Sequence, residues 1–294
     1  MNYYNEIKTE ILNNEITKKV KDYSKNKSDL TTYYNVGKLL SEAGKHYGEG
    51  IIKEYSDKLT KEFGKGFTFT SLTRMKKFFF LIEKLATLSQ QLSYGHYVEL
   101  LPIKKIEKIK YYITICEQNN LSVRQLREHI KNKEYERLDE QTKLKLIKDE
   151  KLEVQDTIKN PIIIKNKTNY EVVSEKVLQK LILEDIPAFL DELGNGFTFI
   201  RNEYKIKMGG NYNYIDLLLY NIEFNCYVVI ELKVTELKKE HIGQIEVYMN
   251  YIDKNLRKPM QDKTIGIILC RKDNKFIMEY CSDERIKVRE YSLA

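Results

Sequence analysis

The sequence predicts an all-helical N-terminal domain followed by a mixed-sheet α/β domain, on three observations. In residues 1–150 apolar side chains recur at spacings of three and four, as in Leu72, Met75, Phe79 and Ile82. From Phe197 onward, short apolar runs rich in β-branched residues alternate with polar turns. Between two of those runs, Ile242, Ile245, Tyr248, Met249 and Ile252 return to helical spacing. At 294 residues there is room for two cores. We place the helical domain at 1–150, a linker at 151–168 around Pro161, and the α/β domain at 169–294. Proline bars a helix from running through that boundary.

Helices are expected over Tyr3–Lys25, Leu30–Leu40, Ile51–Phe63, a segment beginning at Thr70 or Ser71 as cap, Lys104–Glu117, and SVRQLREHI capped by Ser122. The aromatic stripe Phe78, Phe79, Phe80 reads as core. In the second half, Glu171–Leu193 reads as a helix despite Pro187. Strands follow at Phe197–Ile200, Ile215–Tyr220, Cys226–Ile230, Thr264–Cys270, Phe276–Tyr280 and Ile286–Tyr291, with a helix from Lys238.

Composition sets bounds. Lys and Arg number 50 against 43 Asp and Glu, a formal charge of +7 that is compatible with nucleic acid without requiring it. No apolar stretch reaches membrane-spanning length, and MNYYNEIKTE lacks a signal peptide's apolar core, so no membrane partner is expected. Cys116, Cys226, Cys270 and Cys281 lack metal-type spacing and read as reduced residues of a cytoplasmic protein. His96, His129 and His241 are given no catalytic role.

The chemistry gathers between Tyr214 and Tyr248. One strand carries Asp216, and the next ends on Glu231-Leu232-Lys233. Side chains alternate along a strand, so Glu231 and Lys233 share a face that Leu232 does not. If the two strands pair as a hairpin, Asp216 lies beside Glu231. Two carboxylates suffice to bind Mg²⁺, which keeps several waters, and a nearby ammonium can orient an attacking water. The same residues are also common punctuation at strand ends. Gln244 and Tyr248, four apart on the following helix, could face this cluster.

Asp216, Glu231-x-Lys233 and Gln244-xxx-Tyr248 resemble the PD-(D/E)XK nuclease superfamily with a RecB-like QxxxY motif. The runs YIDLLLY, VIELK and Gly243-Gln244 are similar to the YhcG-like family of nucleases, as are GKGFTFTSLTRMKKF, LSYGHYVELL and LSVRQLREHI in the N-terminal half. The resemblance implies a restriction-endonuclease-like fold and a catalytic set of Asp216, Glu231, Lys233, Gln244 and Tyr248. It implies Mg²⁺, with Mn²⁺ as a substitute, held at Asp216, Glu231, Leu232 and Glu175. The helical domain would bind DNA, through Arg74, Lys76, Lys77, Arg124 and Arg127. The chain departs from the family pattern at Arg201-Asn202-Glu203, where relatives carry Gly-Arg-Gln, and at Gln179, where relatives often carry Glu.

Three functions stay open at this level. They are a Mg²⁺-dependent nuclease acting on DNA in genome defence or DNA processing, a non-cleaving DNA-binding or scaffold subunit, and an RNA-directed nuclease. A symmetric homo-oligomer is expected through residues 1–150, on surplus apolar positions such as Tyr33, Tyr34, Val36, Leu39 and Leu40.

Overall fold

The computed structural model describes residues 3–20, 25–86, 88–89, 91–148, 150–168, 170 and 173–294. The chain divides into two compact units, Met1–Tyr135 and Glu136–Ala294.

The first unit is helical among the described residues: α1 (Tyr3–Val20), α2 (Lys25–Tyr47), α3 (Ile51–Phe63), α4 (Phe69–Leu85), α5 (Tyr94–Leu100), α6 (Ile106–Asn119) and α7 (Val123–Lys131). Tyr3, Ile7 and Ile11 of α1 meet Val36, Leu40 and Ala43 of α2 and Leu72 and Met75 of α4 in one core. Positions that suggested surplus apolar surface are thereby consumed: Val36 and Leu40 are fully buried, Tyr33 packs on Tyr94, and the Tyr34 hydroxyl donates to Glu83. The aromatic stripe splits, with Phe78 buried and Phe80 exposed, because consecutive helical residues point about 100° apart. Thr68, not Thr70 or Ser71, caps α4 by accepting from the Ser71 N–H at 3.4 Å. Ser122 caps α7 as expected, in a reciprocal box with Gln125. His96 is a structural residue: Ser93 N–H donates to its Nδ1 at 3.0 Å, so Nε2 carries the proton and donates to the Leu121 carbonyl.

Helices α2 and α4 cross closely at Gly37, where an added Cβ would press on the Met75 carbonyl and lie 2.9 Å from Phe79 Cβ. Backbone atoms cannot swing aside. Gly37→Ala is expected to cost about 1–3 kcal/mol, read as a lower urea midpoint at unchanged slope.

The second unit opens with α8 (Glu140–Lys148) and a 3₁₀ turn (Val154–Thr157), followed by strand β1 (Ile162–Ile164). The division thus falls before residue 136 rather than at 150. Residues 151–168 are built into the unit: Ile158, Ile162 and Ile164 are buried in its core, and β1 forms an edge of the sheet. Next come α9 (Glu175–Glu184) and α10 (Ile186–Leu193). These are two helices where the sequence suggested one. Asp185 leaves the helical region (φ −143°) and caps α10 through Ala188 N–H, while Pro187 occupies the first turn, where no backbone N–H is missed.

The remaining elements are β2 (Phe197–Met208), β3 (Asn211–Asn221), β4 (Cys226–Leu232), α11 (Lys239–Asn255), β5 (Ile265–Cys270), α12 (Lys275–Glu279) and β6 (Ile286–Leu293). The sheet order is β1-β6-β5-β4-β3-β2, with β2, β3 and β4 antiparallel neighbours and the rest parallel. One face packs on α9 and α10 through Val228, Ile230 and Leu232, and the other on α11 through Val229 and Ile268. This mixed three-layer α/β architecture is the expected fold class. Phe276–Tyr280, read as a strand, forms α12 instead: β5 is already flanked by β4 and β6, and Phe276 and Tyr280 are exposed.

Candidate active site

Residues Leu217 and Ile230 pair across β3 and β4, and the next step of that register sets Asp216 opposite Glu231. The ladder ends there. The Leu232 N–H donates to Asp216 Oδ2 at 2.7 Å, so a side-chain carboxylate replaces a backbone acceptor. Two irregularities open this place. A register shift falls between Phe199 and Arg201 of β2, and Glu203, facing Asp216, has φ +45°. Ile215 packs on the α11 side and Leu217 on the opposite side although they are two residues apart, so alternation skips a step at Asp216. Such bulges re-aim side chains beside functional sites.

Glu231 is 2% exposed. Its Oε1 accepts from Lys233 Nζ at 2.8 Å, while Oε2 is buried without a hydrogen-bond partner among the described residues. Burial, then the nearby Asp216 charge, pushes the Glu231 carboxyl up to about 7, against the pull of Lys233. Burial also raises Asp216, opposed by the Leu232 amide and Lys233. Desolvation works to lower the Lys233 ammonium, but its bond to Glu231 and the charges of Glu175 and Asp216 raise it overall. The Glu231–Lys233 contact favours an ionised Glu231 and burial favours a neutral one; burial prevails.

Gln179 of α9 donates to the Asp216 carbonyl at 3.1 Å. A carboxylate at this position would meet a carbonyl oxygen with no proton to share. Glu175, one turn earlier and half exposed, lies 3.8 Å from Lys233 Nζ rather than closing a cage of carboxylates. Among the described residues no three His, Cys, Asp or Glu side chains group tightly enough to enclose a metal alone. On α11, Gln244 Nε2 donates to the Tyr248 hydroxyl at 3.1 Å. Burial raises the Tyr248 hydroxyl, its bond with Gln244 lowers it, and the charges of Glu231 and Asp216 raise it again. His241 caps α11 by accepting from Lys238 N–H; burial and then Lys233 lower its pKa.

The donor set fits a hard divalent cation. A buried, orphaned carboxylate oxygen beside a second carboxylate is costly without one. Mg²⁺ asks for one or two carboxylates and completes its shell with water, so a third acidic ligand is not required. Asp216, Glu231 and the peptide at Leu232 would hold it.

Of the basic residues predicted to contact nucleic acid, Arg74, Lys77 and Arg124 are exposed. Lys76 is paired with Glu49, and Arg127 grips Glu99 with Nη2 at 2.7 Å and Nε at 3.2 Å. Sequence reasoning missed the Gln179 hold and the Leu232 amide. The first left a signal, since Gln179 stands one turn from Glu175 on a helix preceding the strands that carry Asp216 and Glu231.

The free protein carries a stability signature of this site. Glu231 has a folded value of about 7 against an ordinary 4.5, so the folded state favours the neutral acid. Its contribution is complete below pH 4.5 and is lost as pH rises through about 7. Metal-free protein should therefore lose melting temperature across that window, and Glu231→Gln should flatten the profile. A slope identical in the variant would assign it to other groups.

Residues 155–294 match the YhcG PDDEXK nuclease domain, and residues 6–137 match the DUF1016 N-terminal domain. A protein of Escherichia coli (strain K12) named "Putative nuclease YhcG" is 23% identical, over 81% of this chain and 76% of that protein. The crystal structure of a repair endonuclease from Pyrococcus abyssi aligns at 20% identity and TM-score 0.30 over 42% of this chain and 48% of its own. An EndoMS–dsDNA complex aligns at 19% identity and TM-score 0.31 over the same shares. The chain thus spans about half the length of these solved structures. Among the described residues no helix is long and apolar enough to cross a membrane. With its two halves matched in order, this chain carries a DUF1016 N-terminal domain followed by a YhcG PDDEXK nuclease domain.

Proposed function

We propose that the protein is a metal-dependent nuclease that hydrolyses phosphodiester bonds in DNA, with Mg²⁺ as the working ion and Mn²⁺ as a substitute. The observation that carries this reading is the pairing of Asp216 with a buried Glu231 whose Oε2 has no partner among the described residues, beside the Lys233 ammonium. A divalent cation bound there supplies a Lewis acid for the phosphoryl oxygen and acidifies a water. Asp216 is held in line by Leu232 N–H and, through its own carbonyl, by Gln179. Lys233 stays protonated and offers its ammonium to the attacking water and the charge that develops on phosphate. Tyr248, steadied by Gln244, closes the α11 side of the cluster.

The helical unit would assist DNA binding through Arg74, Lys77 and Arg124, with Lys76 and Arg127 already engaged by Glu49 and Glu99. A symmetric oligomer accords with cutting a pseudo-two-fold duplex, although the burial of Val36 and Leu40 withdraws the apolar argument for it. Burial raises the Cys116 and Cys270 thiols to about 12 and Cys226 to about 11, which makes them inert core residues suited to a reducing cytoplasm.

The test is incubation of the full chain with duplex, branched and single-stranded DNA and with RNA, with Mg²⁺, Mn²⁺ or EDTA. Cleavage of DNA only with added metal is expected. Cleavage that survives EDTA would overturn the metal assignment, and cleavage of RNA alone would overturn the substrate.

A further inference from the structure

The β2–β3 hairpin outruns the sheet. Strand β4 covers β3 only over Leu217–Asn221, yet β2 and β3 stay paired from Tyr204↔Ile215 to Met208↔Asn211. The two-residue turn Gly209-Gly210 closes this ribbon, with Gly209 at φ +60° as tight hairpins require. Its faces differ. Ile206 and Ile215 are buried against the α11-side core, joined by Tyr204 and Met208, so the ribbon is firmly seated. On the other face Lys205 stands across from Tyr214 and Lys207 across from Tyr212. Both tyrosines are about half exposed, at 54% and 51% for Tyr212 and Tyr214. Lys205 Nζ lies 3.8 Å from the Tyr212 ring centroid and Lys207 Nζ 5.9 Å. Among the described residues neither lysine is paired with a carboxylate.

We propose that this ribbon is the duplex-docking arm of the catalytic unit, lying in a DNA groove with Lys205 and Lys207 on backbone phosphates and Tyr212 and Tyr214 against the sugars. The inference rests on the nuclease reading above and adds where the substrate is gripped. Unpaired ammoniums next to exposed aromatic rings are the composition of a nucleic-acid contact, because phosphate takes the charge and the rings cover sugar and base surface. Size agrees. Asn211 to Asp216 spans five steps of roughly 3.3 Å, about 17 Å, which is half of a duplex turn of about 34 Å. The groove also selects the partner. The B-form major groove admits a two-stranded ribbon, whereas the A-form groove of duplex RNA is too narrow. Tyr214 precedes Asp216 by two residues on β3, so the root of the arm adjoins the Asp216 backbone.

The experiment measures binding of the full chain to labelled 30-base-pair duplexes of DNA and RNA in EDTA, across a salt series. Lys205→Ala/Lys207→Ala should weaken DNA binding at least about tenfold at 0.1 M salt and flatten the log–log salt slope by about 1.8, or 0.9 per phosphate contact. Tyr212→Ala/Tyr214→Ala should weaken binding without changing that slope. Lys254→Ala, at the far end of α11 from Gln244, should do neither. Unchanged DNA affinity and slope in the lysine pair, an equal effect from Lys254→Ala, or an equal loss on RNA would overturn the arm. The two readings separate cleanly: cleaving wild-type protein with an indifferent lysine pair keeps the nuclease and sinks the arm, whereas the expected losses in a protein that never cleaves support the arm alone.

Discussion

Glu231→Gln is expected to leave a folded protein that no longer cleaves and no longer takes up Mg²⁺ at this site. The substitution keeps shape and removes charge at a position that is 2% exposed. In metal-free buffer the variant should melt no lower than the parent, because it relieves an unpartnered carboxylate oxygen and the repulsion from Asp216. Losing a Lewis acid worth several kcal/mol at the transition state corresponds to a fall of about 10³-fold or more in rate. Glu231→Ala is the less clean variant, since it also strips the Lys233 ammonium of its closest partner. Asp216→Asn should match Glu231→Gln in rate while testing a different contact, the one to the Leu232 amide. Calorimetric Mg²⁺ titration alongside the cleavage assay settles the matter. Full activity with intact metal uptake in Glu231→Gln would remove Glu231 from the site.

The juxtaposition of Asp216, Glu231 and Lys233 was legible because it depends on one periodicity. Alternation along β4 puts Glu231 and Lys233 on the face opposite Leu232, and hairpin pairing does the rest. What escaped depends on breaks in periodicity. The skipped step at Asp216 and the positive φ of Glu203 are properties of a backbone under tertiary constraint, and nothing in Arg201-Asn202-Glu203 announces them. Strand β2 was read as ending at Ile200 because the alternation beyond it is written with Tyr, Lys and Met, which serve equally on a solvated loop. Residues 151–168 read as a linker because polar neighbours dilute Ile158, Ile162 and Ile164; only the sheet edge that receives them reveals their role. Helix α12 carries apolar residues that face solvent, so composition pointed to a strand where no neighbour was free.

The same misplaced boundary makes a second large effect predictable. Arg137 forms a bidentate pair with Glu192 of α10, one bond of which is 3.0 Å, and both side chains are about 10% exposed or less. Arg137 also donates to the Pro161 carbonyl at 2.8 Å, and Glu192 accepts from Ile163 N–H at 2.9 Å. A second buried arginine, Arg289 of β6, reaches back to the Ile158 carbonyl and to Asp139. The stretch from 136 to 164 is thus clamped to the sheet by charge-assisted bonds. Glu192→Ala would leave a guanidinium buried without its carboxylate and an amide without an acceptor, at a cost of about 3–5 kcal/mol. In a unit of this size that is a melting shift of roughly 6–20 °C. The double variant Arg137→Met/Glu192→Leu removes both charges together and should recover much of the loss, because the penalty lies in the orphaned partner rather than in the missing attraction. Thermal unfolding of the single and double variants measures the difference directly. A Glu192→Ala protein within 1 kcal/mol of the parent would mean that residues 136–164 are an appendage and that the boundary belongs at 150 after all.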